Sequence, residues 1–360
     1  MADYYFILAK DILGLHTNRR GFNWSFGMNV PFATEEEFAA CKVRLRLTVG
    51  NDKCISENGD RPSNEVSGKY SHFYGLSDKD SILYQRPFMF GKKLQFKVEG
   101  LLTDEPAICV NEAYYRLIAH RFMNLHSIDY TLTDLACFLL LRKGYSPLHC
   151  SAFKKGDATI LVFAPPNTGK TLTAIMACKE HGAEFVSEDM VITDGEMIYA
   201  VPWTSSFRYY SLVDKSPLAR TRDVINRSVP LLELLTIGAP KSSDEYFDKN
   251  SMFDNAKPTH IVILERGPIS VRPQTESEAY RKIRNLNRHA FNYQKAPAIV
   301  AYEFFNPLLE IDAASKTEQA LLREVVAAAH QRLTVSANEA TQYASLITGA
   351  LEADVKRQLR

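Results

Sequence analysis

Residues 158–182 restrict this chain more than any other stretch, because the hydrophobic pattern changes character twice within them. A-T-I-L-V-F at 158–163 is a short, apolar, β-branched run, the pattern of a buried strand. It runs into A-P-P-N-T-G-K-T at 164–171, where two prolines, an asparagine and a glycine stop a strand. Residues 170–181 then carry helical spacing, and Gly182 suits the left-handed position that closes a helix. A strand feeding a tight loop and then a helix predicts an α/β fold.

The loop nearly satisfies the phosphate-binding pattern G-x-x-x-x-G-K-[ST]. At such a turn the backbone N–H groups point into one cavity, and the helix dipole adds positive potential there. Gly169 lets the backbone approach closely, Lys170 can span the β- and γ-phosphates, and Thr171 offers a hydroxyl to Mg2+. Ala164 stands where the pattern has its first glycine, and Pro165 and Pro166 carry no N–H. The nest therefore draws on the amides of Asn167, Thr168, Gly169, Lys170 and Thr171. The chemistry predicted is binding of ATP with Mg2+, with ATP against GTP left open.

Around this segment three regions separate by texture. Residues 1–112 read as an N-terminal α+β module: V-R-L-R-L-T-V at 43–49 alternates like a half-exposed strand, 50–69 is polar and loop-like, and 94–98 is strand-like. Residues 113–312 hold the central core. Helical spacing over 111–123 leads into it, and an apolar helix follows over 133–142. A strand is expected over 148–153, with a K-K-G-D turn at 154–157 pairing it with 158–163. Beyond the helix come a strand at 184–186, the acidic pair Glu188 and Asp189, and a hairpin about Asp194 and Gly195. The strand 259–264 and the helix 276–291 complete the core, with Ala279, Ile283, Leu286 and Ala290 on the apolar face of that helix. Its Arg281, Lys282, Arg284 and Arg288 read as a solvated face. Residues 313–360 are expected to form a C-terminal helical segment.

The central stretch resembles the HPr kinase/phosphorylase family, whose fold is shared with phosphoenolpyruvate carboxykinase. The residues that carry the likeness are L-H-C-S-A-F-K-K-G-D-A-T-I-L-V-F-A-P-P-N-T-G-K-T at 148–171 and H-G-A-E-F-V-S-E-D at 181–189. They follow the family's succession of a histidine, a hairpin, the phosphate loop, a helix ending in glycine, an apolar strand and an acidic pair. The likeness covers about 134–201, and more loosely I-V-I-L-E-R-G at 261–267. It implies a mixed-sheet phosphate-loop kinase core beside a smaller β-containing module. It also implies ATP-dependent phosphotransfer to a hydroxyl, preferably a serine on a peptide or protein, as in the relatives that phosphorylate lasso-peptide precursors. Asp189 matches the family's catalytic carboxylate, and His149 stands at the family's spacing from the loop. Glu188 replaces the first Asp of the pair and is a candidate metal or water ligand.

Arg208 follows V-P-W at 201–203 and could stabilise charge on a transferring phosphoryl group; Arg266 is a similar candidate, and Lys215 a lesser one. The chief rival reading is a nucleotide-binding regulator or scaffold with little catalysis. A carboxykinase acting on a small acid would need further metal ligands that no spacing reveals. Formal net charge is +1, so no global field draws in nucleic acid or an anionic membrane, and the longest apolar run, 135–141, is too short for a bilayer about 30 Å thick. The 6 cysteines form no C-x-x-C pair, and no secretory leader is evident, which points to a reducing cytoplasm. Self-association into a homo-oligomer is left open.

Overall fold

The computed structural model describes residues 3–21, 24, 26, 30–50, 55, 66–76, 80–88, 91–118, 127–202 and 253–358. Its chain is a mixed α/β protein whose described strands form three sheets. The first half supplies β1 (Tyr4–Ala9), β2 (Leu13–Thr17), β3 (Phe32–Ala33), β4 (Val43–Gly50), β5 (Val66–Tyr70), β6 (Phe73–Leu76), β7 (Ser81–Pro87), β8 (Lys93–Glu99) and β9 (Ala107–Asn111). They make a 9-stranded sheet in the order β3-β1-β2-β4-β9-β8-β7-β6-β5. The alternation in β4 sets its pleat: Val43, Leu45, Leu47 and Val49 are buried between parallel neighbours β2 and β9. Part of the stretch expected as a loop, 66–69, is strand; only Ile55 of 51–65 lies within the described residues.

Three helices accompany this sheet. The first, α1 (Glu35–Ala40), starts at a reciprocal cap between Thr34 and Glu37. The second, α2 (Glu112–Leu117), is capped by Asn111; the rest of the expected helix, 119–123, lies outside the described residues. The third, α3 (Ile128–Arg142), is buried along most of its length, and Gly144 beyond it takes φ +80°. Trp24 Nε1 donates to Thr133 Oγ1 at 3.0 Å, tying α3 to the N-terminal residues. The largest apolar cluster runs from Leu8 to Ala314. Residues 1–112, read as a module, therefore share their interior with α3 and with later helices.

The phosphate-loop segment lies in a second sheet. Here β11 (Ser151–Lys155), β12 (Ala158–Phe163), β13 (Glu184–Ser187), β17 (His260–Arg266), β18 (Ser270–Pro273) and β19 (Gln331–Ala337) run in the order β13-β11-β12-β17-β19-β18. Strands β12, β17 and β19 are parallel, and β11 and β18 flank them antiparallel. Successive residues of β12 point to opposite faces. Ile160 and Val162 meet α4 (Lys170–His181) and α8 (Tyr343–Gln358). Leu161 and Phe163 share a cluster with residues of the helices Glu276–Ala290 and Ile311–Ala328, called α5 and α7; α6 (Pro297–Phe305) lies between these two in the chain. The result is a sheet covered by helices on both faces. A third sheet of four short strands, β10 (Ser146–Leu148), β14 (Val191–Thr193), β15 (Ile198–Ala200) and β16 (Asn255–Ala256), borders it.

Two features depart from the expectations. Residues 148–153 are not one strand: β10 ends at Leu148 in the four-stranded sheet, and β11 begins at Ser151 in the six-stranded one. His149 lies in the break between them, so it is not on a strand face with Ser151 and Phe153. The C-terminal segment is also more than helical, since β19 sits between β17 and β18. Thr334 and Ser336 within it are polar yet buried, which hides its strand pattern. Among the described residues no helix is long and apolar enough to cross a membrane.

Candidate phosphate-binding and catalytic site

The site forms where three chain segments leave their strands. From β12 the chain passes exposed Pro165 and Pro166, turns at Asn167 with φ +59°, and reaches Gly169 at φ +119°. Thr168 N donates to Pro165 O at 3.3 Å and closes the turn. Gly169 is the N-cap of α4 and has no side chain to cap with, so the first-turn amides receive no side-chain cap. A Cβ at Gly169 would stand 2.6 Å from Ala340 Cβ, on the turn that leads into α8. Substitution Gly169→Ala therefore combines a clash with a left-handed φ and is expected to cost about 1–3 kcal/mol. A urea midpoint equal to that of the wild type would contradict this.

Lys170 is the first residue of α4 and is almost wholly buried. Its Nζ lies 2.8 Å from Asp189 Oδ1 and 3.1 Å from His149 Nε2, with Asp189 O at 3.4 Å. His149 Nδ1 is 3.7 Å from the same Asp189 oxygen. The phosphate-loop lysine, the carboxylate beyond β13 and the histidine of the β10–β11 break thus meet at one point. The chain bends at Glu188 and Asp189, and two buried hydroxyls hold the bend. Ser151 Oγ donates to Glu188 O, and Ser187 Oγ donates to Met190 O and, at 3.0 Å, to Val201 O. The bend sends neighbouring side chains to different surroundings: Glu188 is fully buried, while the Asp189 side chain keeps 30% exposure.

Burial is the largest influence on His149 and pushes its imidazole down to about 4; the Lys170 ammonium pushes the same way, Asp189 opposes, and His289 adds a further push down. At neutral pH the ring is uncharged. With the ammonium donating to Nε2, the ring proton belongs on Nδ1, facing Asp189. For Asp189 burial is again the largest influence and would raise its carboxyl. Lys170 and His149 outweigh it, and the carboxyl stays below its ordinary range, ionised at neutral pH.

The His149 shift has a consequence for stability. An unfolded histidine titrates near 6.5 and this one near 4, so between those values the unfolded chain binds more protons. The stabilisation present above pH 6.5 is expected to fall away as pH drops through 4, and His149→Gln is expected to flatten that slope. Urea midpoints across this range measure it; equal slopes in both proteins would rule the effect out.

The other candidates fall as follows. Thr171 is buried at the second position of α4. Arg208 and Lys215 lie outside the described residues. Arg266, at the end of β17, donates from Nη2 to Asn167 O at 2.9 Å and so braces the loop. Among the described residues no group of three or more His, Cys, Asp or Glu side chains could hold a metal ion by itself. The Thr171 hydroxyl and a neighbouring carboxylate are the groups that would hold a magnesium ion here, and the ion would supply counter-charge to phosphate.

One residue at the site escaped sequence reasoning. On α5 the buried positions are Ala279, Ile283 and Asn287, and Asn287 Oδ1 accepts from His149 N at 3.2 Å. The available signal was its spacing: Asn287 continues the i, i+4 step of Ala279 and Ile283, a polar residue in phase with an apolar stripe. No protein-family model matches the chain, and no curated protein matches it.

Proposed function

We propose that the chain is a Mg2+-dependent kinase that transfers the γ-phosphoryl group of ATP to a hydroxyl, preferably a serine on a peptide or protein. The observation that carries this reading is the 2.8 Å contact between Lys170 Nζ and Asp189 Oδ1 at an uncapped helix N-terminus. A cation at the start of a helix and an ionised carboxylate then stand in direct contact, the pair of groups that transfer from a bound triphosphate to a hydroxyl requires. The sheet lends support to the finer reading of a phosphate-loop kinase core like that of HPr kinase. An antiparallel hairpin arm, β11, flanks the loop strand, and a parallel strand, β17, lies on its other side.

Bound Mg-ATP supplies the transferable phosphoryl group and its counter-charge. The chain's own groups do the rest. The amides of Asn167, Gly169, Lys170 and Thr171, with the Lys170 ammonium, orient the phosphates at the start of α4, while the Thr168 amide is already engaged by Pro165 O. Asp189 Oδ1 faces Lys170, leaving Oδ2 to receive the acceptor hydroxyl and take its proton as the new P–O bond forms and the bond from the γ-phosphorus to the β–γ bridging oxygen breaks, with ADP as the leaving group. His149, neutral, accepts from Lys170 and keeps the ammonium aimed between carboxylate and phosphates.

Incubation with γ-labelled ATP, Mg2+ and a library of serine-containing peptides tests the proposal. Stable label on peptide is the expected result. Nucleotide that binds without transfer would favour a regulator or scaffold instead, and no binding would remove both readings.

A further inference from the structure

Behind the site, Asn287 joins the break between two sheets to a buried carboxylate. Its side chain is almost wholly buried, and all three of its hydrogen bonds stay within the protein. Oδ1 accepts from His149 N at 3.2 Å, and Nδ2 donates to Pro147 O at 3.1 Å and to Glu318 Oε1 at 2.6 Å. Where the chain leaves β10 for β11, His149 and Cys150 lie in neither strand, and Pro147 sits on a strand at the edge of its sheet. Cys150 N closes one gap by donating to Leu148 O at 3.0 Å. Asn287 serves the other side of the break with one planar amide that offers both a donor and an acceptor.

Glu318 decides which way that amide points. It comes from α7, is nearly fully buried, and accepts at Oε2 from Tyr293 OH at 2.9 Å. Both Glu318 oxygens accept, one from the amide and one from Tyr293, so the amide nitrogen faces Glu318 and the amide oxygen faces His149 N. The same end of α5 also reaches the imidazole: the Phe291 ring stands edge-on to it at 6.4 Å, with the planes at 87°. Backbone and ring of His149 are therefore held by one helix end, which a second helix locks through Glu318.

We propose that Asn287, oriented by Glu318, is the positioning residue that sets His149 against Lys170 and Asp189; its catalytic meaning rests on the kinase reading above. It touches no reacting atom and acts through the placement of the imidazole. The charged and titratable groups facing that imidazole are Lys170, Asp189 and His289. A displaced ring would lose its shelter and its alignment with the ammonium together.

The test uses the full chain and two measurements. One is the titration of the His149 imidazole by NMR in protein without nucleotide. The other is transfer from Mg-ATP to the serine-peptide library, with nucleotide affinity determined in parallel. In Asn287→Ala the titration is expected to move from about 4 toward 6.5. The transfer rate is expected to fall about 10²-fold, a loss typical of a catalytic group misplaced by about 1 Å, with nucleotide affinity unchanged. Asn287→Gln keeps the donor and the acceptor but moves them out by one methylene, and is expected to shift both readouts in the same direction by a smaller amount.

A folded Asn287→Ala protein whose His149 titration stays in place overturns the proposal, whatever happens to transfer. If Asn287→Ala does not fold, Asn287→Gln decides: a His149 titration raised above about 4 supports positioning, and one left in place overturns it. Wild-type protein that transfers no phosphoryl group removes the kinase reading alone, since the titration needs no activity.

Discussion

Replacing Asp189 by Asn is expected to lower phosphoryl transfer about 10²–10⁴-fold while nucleotide affinity stays within about threefold. The amide has the shape of the carboxyl and can still accept from Lys170, so the geometry about the 2.8 Å contact survives. What it loses is the capacity to take a proton from the attacking hydroxyl. Lys170 keeps the His149 ring nitrogen at 3.1 Å and the carbonyl of residue 189 at 3.4 Å, and its charge is freer to meet phosphate. Nucleotide affinity has no physical reason to fall. The protein without nucleotide is expected to lose about 1–3 kcal/mol, because a nearly buried ammonium no longer faces a carboxylate. Titration with a fluorescent ATP analogue, run beside the transfer assay, separates the two effects. If binding and transfer decline in parallel, Asp189 is a structural counter-ion rather than a catalytic group.

Lys170→Ala is expected to behave differently, weakening nucleotide binding and transfer together. A charge-assisted contact to phosphate is worth about 1.5–3 kcal/mol, so affinity should fall about 10- to 100-fold. Transfer should fall further, since the ammonium also meets charge that develops on the phosphoryl oxygens. The variant disturbs its neighbours as well. Burial favours the protonated form of Asp189, and the main influence holding its carboxyl down is the Lys170 ammonium. Without that ammonium the carboxyl is expected to titrate higher, and the protein to gain less stability from its ionisation as pH rises. Unchanged affinity for the fluorescent analogue would show that the loop does not hold a triphosphate through this residue.

The contrast between these variants follows from where each group sits in the chain, and the same division governs what could be read in advance. Lys170, Thr171 and Gly169 could be singled out because the proposed nest is local, made by a strand end, a turn and a helix start within a few residues. Asp189 and His149 drew attention through order and spacing relative to that loop. Their meeting at Lys170 depends on two non-local events. One is the switch of the chain between sheets at His149. The other is the bend at Glu188, held by hydroxyls of Ser151 and Ser187. Periodicity treats 148–153 as one strand, since an apolar run does not show that its two ends pair with different partners.

Asn287 and β19 make the same point from the opposite side. In α5 the apolar stripe was visible, yet the most informative buried residue on it is polar, and hydrophobicity counts against such a position. Its burial is acceptable only because Pro147, His149 and Glu318 satisfy it, and those partners lie more than thirty residues away or on the far side of the chain. For β19, Thr334 and Ser336 blur an alternation that the parallel neighbour β17 makes unnecessary.

By itself, then, the order of residues determined the strand, the turn, the helix and its glycine ends, because each depends on dihedral preferences and hydrogen bonds within a few positions. Tertiary structure alone decided which carboxylate and which imidazole face Lys170, and which buried amide holds that imidazole. The physical reason is distance along the chain: a buried ion pair or a satisfied amide is settled by partners that folding brings together, and one-dimensional spacing carries no record of them.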